Sequence, residues 1–142
     1  MSQLLEMKNS RGKVEFFNIA LINVIRLDKL AHEVYIYLSN GDCFIARKSD
    51  ADQLWSVALR FASLRDSPWM AVKDNILINL KKIEAISTAD HALGKVINFR
   101  MDGGQVTAAF FENEDSAELA MSSIRRAFNI NNQGGMFSHD NN

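Results

Sequence analysis

The residues best placed to do chemistry are two tyrosines and a scatter of cations. Tyr35 and Tyr37 sit two apart in the run Val34-Tyr-Ile-Tyr-Leu38. Alternate residues of a strand share a face, so the two rings either stand side by side in the open or are buried together. In the open, such a pair offers ring faces on which unpaired bases stack. Arg47, Lys48, Lys81 and Arg100 lie on or beside the predicted strands and supply charge for phosphates.

Other chemistry is poorly provided for. His32, His91 and His139 fall in predicted loops and a tail, no two at helical spacing, and no Cys-x-x-Cys occurs. No metal site and no cofactor is expected. Asp102-Gly103-Gly104 joins two predicted strands instead of opening a helix, so it reads as a hairpin turn and not a phosphate cradle. Asp50 and Asp52 read as helix-capping acids, and Cys43, beside Phe44 and Ile45, as a small buried hydrophobe. There is no nucleophile elbow and no P-loop. The chain is expected not to be an enzyme.

Composition narrows the class. The 142 residues are 47% hydrophobic and 23% charged, with a net charge of −1. That suits one domain or two small ones packed as a unit and excludes a wholly disordered chain. It departs from the basic balance of most nucleic-acid binders. The single Cys43 allows no internal disulfide. No secretory leader and no apolar span of about 20 residues is legible, so the expected location is cytoplasmic.

The elements that must position these residues recur. Ala20-Leu-Ile-Asn-Val-Ile-Arg-Leu27 resembles Ile76-Leu-Ile-Asn-Leu-Lys-Lys-Ile83, and the turn Asn40-Gly41 resembles Asp102-Gly103. Leu54, Val57 and Phe61 match Met121, Ile124 and Phe128. The expected fold class is α+β, with two tandem ββββα repeats, antiparallel sheets each with one C-terminal helix, packed as a pseudo-symmetric unit. The first repeat, with an N-terminal extension, occupies 1–66 and the second 67–128. The strands expected are Val14–Phe17, the Leu-Ile-Asn segment, Val34–Leu38 and Cys43–Arg47, then Trp69–Val72, the second Leu-Ile-Asn segment, Lys95–Met101 and Val106–Phe111. Ser49-Asp-Ala-Asp52 and Asp115-Ser-Ala-Glu118 predict capping boxes at the helix starts. Residues 129–142, rich in Asn and Gly, are expected to form a flexible tail, with Met136 and Phe137 as a short docking motif.

Strand faces give two phases. Ile97 and Phe99 point inward, with Asn98 and Arg100 toward solvent. The same phase in the first repeat turns Tyr35 and Tyr37 inward and leaves Val34, Ile36 and Leu38 as a second apolar face, to be covered by the other repeat, another subunit or a ligand. The opposite phase exposes the tyrosines. Asn23 and Asn79, inside apolar segments, must satisfy their amides or contact a ligand.

Two tandem ββββα units resemble the PUR-repeat and whirly-type single-strand nucleic-acid-binding folds. The resemblance is topological and covers about residues 14–128. It implies that strand faces hold the nucleic acid, with Tyr35, Tyr37, Arg47, Lys48, Lys81 and Arg100 as contacts. The balance of charge favours a different reading: a non-enzymatic protein-interaction or assembly module of bacterial or phage type. That module would self-associate or hold a protein partner through Val34, Ile36 and Leu38. Single-stranded nucleic-acid binding is the alternative.

Overall fold

The computed structural model describes residues 4–8 and 12–131. Met136 and Phe137 lie outside the described residues. The first half contains β1 (Leu4–Lys8), β2 (Val14–Asn18), a 3₁₀ turn (Ile19–Leu21), β3 (Ile22–Asp28), β4 (Glu33–Leu38), β5 (Cys43–Arg47) and α1 (Ser49–Ala62). The second contains β6 (Trp69–Lys73), β7 (Ile76–Asn79), a 3₁₀ turn (Leu80–Lys82), β8 (Ile83–His91), β9 (Gly94–Met101), β10 (Val106–Phe111) and α2 (Glu114–Asn131).

Two tandem ββββα repeats, each with its own sheet, are therefore not what the chain forms. Each half has five strands and a 3₁₀ turn before its helix. The extension Leu4–Lys8 is itself a strand and pairs with β2. The second Leu-Ile-Asn segment is not one strand through Ile83. It stops at Asn79, whose side chain accepts from Lys81 N and starts a 3₁₀ turn. Asn18 does the same for Ala20 N in the first half. Asn79 thus corresponds to Asn18, and not to Asn23.

The sheets also cross the halves. The largest has the order β5-β4-β3-β7-β6, so β6 and β7 extend the first half's sheet along the edge of β3. The second sheet is β10-β9-β8, and β1-β2 is a separate hairpin. All pairings are antiparallel, and the β4-β5 and β9-β10 hairpins turn at Gly41 (φ 96) and Gly103 (φ 90). Positive φ costs glycine little, which is why Asn-Gly and Asp-Gly stand there. The fold remains α+β, with strands dominant.

Two cores lie on opposite faces of the five-stranded sheet. On one, Ile22, Ile25, Val34, Ile36 and Leu77 pack with Leu5 and Phe17 of the hairpin and with Ala51, Leu54 and Ala58 of α1. On the other, Val24, Ile76 and Ile78 pack with Ile97, Phe99 and Met101 of β9 and with Ala117 and Ile124 of α2. Burying each of these side chains stabilises by about 1.5–3 kcal/mol. The large sheet is thus the middle layer.

Neither expected capping box forms. Ser49 is already helical, and α1 begins after Lys48, a residue with φ 56 and no side-chain cap. Asn113 takes the capping role in α2, accepting from Ser116 N at 2.8 Å. The last turn of α2 runs through residues 129–131, where a tail was expected.

Candidate nucleic-acid interface

In β4 the phase is set by the first core. Val34 and Ile36 are fully buried and Leu38 half-buried against it. α1 and the β1-β2 hairpin cover the Val34–Leu38 face from within the chain, while Tyr37 on the other face packs partly against the second core, so both faces of β4 are covered internally. The Val34–Leu38 face is not an open apolar surface.

Tyr35 and Tyr37 consequently stand on the opposite face, both half-buried. Directly opposed residues of antiparallel strands share a face, so the pairing registers fix their neighbours. Arg47, Glu33 and Asp28 form one row across β5, β4 and β3. Ile45, Tyr35, Arg26 and Ile76 form the next, reaching β7. Cys43, Tyr37, Val24 and Ile78 form the third. At Val24 and Ile78 the face disappears beneath the second core. Toward β5 it emerges: Arg47 is exposed, and so is Cys43, which was expected to be buried but lies on the edge strand of the sheet.

Polar contacts lock this open end. The two tyrosine rings are nearly parallel, 15° apart, with centroids at 6.3 Å. The Arg26 guanidinium lies 4.6 Å from the centre of the Tyr35 ring, and its Nη2 donates to the Tyr37 hydroxyl at 3.1 Å. The Tyr35 hydroxyl donates to Glu33 at 2.6 Å, and Arg47 Nε donates to the same carboxylate at 2.8 Å. The Tyr35 hydrogen bond, then the Arg47 bond, hold the Glu33 carboxyl below its usual range. The same Glu33 contact pushes the Tyr35 phenol up, and burial raises the Cys43 thiol. The Tyr35 phenol is therefore neutral at ordinary pH, and these hydrogen bonds fix both rings in orientation.

The expected contact residues separate into three places. Tyr35, Tyr37 and Arg47 share the face just described, and Lys48 follows at the turn into α1. Arg100 lies on the outward side of β9, 3.5 Å from Glu84. Lys81 stands on the second 3₁₀ turn, in a cleft beside the end of α1. Sequence reasoning missed Arg26 and Glu33, the two residues that hold the tyrosines. The signal was the pairing of β3 with β4, which no local pattern reveals.

Asn23 is fully buried at a bulge in β3. Its amide nitrogen donates to Asp102 O at 3.0 Å and to Gln105 at 3.3 Å, tying β3 to the β9-β10 turn. Asn79 is 2% exposed and donates to Ile22 O at 3.1 Å, tying β7 to β3. Among the described residues, no three His, Cys, Asp or Glu side chains gather as metal ligands. No described helix is long and apolar enough to cross a membrane.

A middle sheet flanked by a hairpin with a helix on one side and by a second sheet with a helix on the other defines an all-antiparallel layered α+β fold. The fold is similar to that of the LytTr DNA-binding domain of a methyl-accepting/DNA response regulator from Bacillus cereus. The two superpose with a TM-score of 0.56 over 87% of this chain and 94% of that one, at 13% sequence identity. No protein-family model and no curated protein matches the sequence.

Proposed function

We propose that this chain is a nucleic-acid-binding module that holds a single strand on the Tyr35–Tyr37 face. The observation that carries the reading is the half-buried, parallel tyrosine pair flanked by Arg26 and Arg47 at the open end of the central sheet. The fold likeness to a DNA-binding domain adds support. Bases stack on the fixed rings, and phosphates draw on Arg47 and Lys48 at the sheet edge. Arg47 is the exposed end of its pair with Glu33 and can turn to a phosphate while the Tyr35 hydroxyl keeps its bond to the carboxylate. With two cations engaged, the single-strand salt slope is about −1.4, an affinity loss of roughly sevenfold between 50 and 200 mM salt.

The test is fluorescence anisotropy with labelled single- and double-stranded DNA and RNA. Tyr35→Ala with Tyr37→Ala should cost about 1–3 kcal/mol per lost stack. Salt-independent binding, or unchanged affinity in that double variant with the fold intact, would sink the proposal.

A second reading, a protein-interaction module, rests on the same composition. Tyrosine and arginine at a half-buried surface are also the anchors of protein interfaces. It gains if the wild type binds no oligonucleotide at low salt yet loses a partner when Tyr35 and Tyr37 are removed.

A further inference from the structure

A cleft of about 760 Å³ opens between the end of α1, the segment leading into β6 and the two 3₁₀ turns. It shares no lining residue with the tyrosine face. Its apolar wall is Phe61, Leu64, Pro68 and Trp69. Leu64 is 51% exposed, although a flat group seated there would cover it.

The polar lining is lopsided. Arg65, Lys81 and Lys82 converge on the cleft against one carboxylate, Asp66, in a chain whose net charge is −1. Lys82 is committed to Asp102 at 3.3 Å. Arg65 and Lys81 are exposed and make no ion pair among the described residues. A helix C-terminus attracts cations, but the last carbonyls of α1 already have donors. Leu59 O accepts from Ser63 Oγ at 2.7 Å, and Phe61 O from Leu64 N at 3.3 Å. The two uncommitted cations are thus not explained by the helix end.

The cleft is also preformed. Leu80 N donates to Pro68 O at 2.9 Å, and Trp69 N to Ser67 Oγ at 3.1 Å. The buried Asn79 side chain holds Lys81 N on one side and Ile22 O on the other. Ligand pockets commonly span about 300–1,000 Å³, with an apolar wall and few placed polar groups. Two unpaired cations lining one cleft suit a phosphate, which one carboxylate would satisfy less well.

We propose that this cleft is a binding site for a mononucleotide. Its phosphate lies between Arg65 and Lys81, and its base lies against Leu64, Phe61 and Pro68. The site stands independently of the tyrosine face. A ligand seated there touches α1, β6 and both 3₁₀ turns, and so braces the two halves against each other.

Calorimetric titration of the whole chain with AMP, GMP, CMP, UMP and inorganic phosphate tests this. At least one nucleotide should bind one-to-one with a Kd below about 1 mM. Arg65→Ala with Lys81→Ala should weaken it by about tenfold or more, while Tyr35→Ala with Tyr37→Ala leaves it unchanged. Both cations are exposed, so the variant should keep its melting temperature. The proposal is overturned by an absence of saturable heat for every nucleotide. It is also overturned by unchanged affinity in the folded double variant. Equal affinity for inorganic phosphate overturns it, because the apolar wall then contributes nothing. Binding of oligonucleotides alone overturns it too, because the cleft would then serve a strand.

Discussion

Replacing Asn79 by alanine should cost the fold several times what the same change costs at Asn18. Each side chain starts a 3₁₀ turn, accepting from Ala20 N at 3.0 Å or from Lys81 N at 3.1 Å. At Asn18 the side chain makes no other hydrogen bond among the described residues, and the site is partly open to water. Its loss costs about 0.5–1 kcal/mol, because water replaces the cap. At Asn79 the amide also donates to Ile22 O at 3.1 Å in a site that is 2% exposed. Removing it loses the cap and leaves a buried carbonyl short of a donor, worth about 1–3 kcal/mol more. The sum is about 2–4 kcal/mol. At about 3 °C per kcal/mol for a chain of this length, Asn79→Ala should melt about 6–12 °C lower and Asn18→Ala only about 2–3 °C lower. Thermal and urea unfolding followed by circular dichroism would measure both. Equal shifts would refute the argument, since burial and the bond to Ile22 would then carry no energy.

Other expectations bear on the tyrosine face and the turns. Cys43 is exposed directly opposite Tyr37 on the shared face. A bulky maleimide there should abolish oligonucleotide binding while leaving the melting temperature intact, and retained affinity in the labelled protein would count against the face. Glu33 has a lowered carboxyl pKa, so its ionised form stabilises the fold. That contribution is complete above about pH 4.5 and is lost as pH falls through the lowered folded value. Carbon-detected NMR titration should show Glu33 moving up toward the ordinary range in Tyr35→Phe, and no movement would contradict the hydrogen bond as its main cause. Gly41 and Gly103 share a positive φ, but only at Gly103 would a Cβ run into backbone, the Ser39 carbonyl oxygen. Gly103→Ala should therefore destabilise by about 1–3 kcal/mol more than Gly41→Ala, read from urea midpoints.

What could be read locally was largely legible. β5 and β10 occupy the stretches expected from their alternation and from the turns that precede them, and both helices follow their apolar periodicity. β8 escaped because Ile83–His91 becomes polar and small toward its exposed end, so alternation fades. β1 escaped because a five-residue strand with β2 as its partner shows little alternation of apolar and polar residues, with Leu5 buried between exposed Leu4 and Glu6. The order of the central sheet was beyond local reading, since Val24 meets Ile78 only through long-range pairing. Arg26 was hidden by register instead: β3 and β4 are successive strands, but the alternation alone does not say which residue of β3 faces Tyr35. The interface expected at Val34, Ile36 and Leu38 failed for a related reason. A strand apolar on alternate positions announces that it will be covered, but not by what.

The central sheet has a consequence for how the chain is made. β3 gains its second neighbour from residues 76–79, which leave the ribosome only after all of α1. At about 5–20 residues per second, the edge of β3 stays bare for several seconds of synthesis. Val24 and Ile25 at that edge offer unpaired backbone to any passing strand. A nascent chain of this design has reason to engage a chaperone early. A stop codon after α1 should yield an insoluble fragment, and co-expression of residues 67–142 as a separate polypeptide should rescue it.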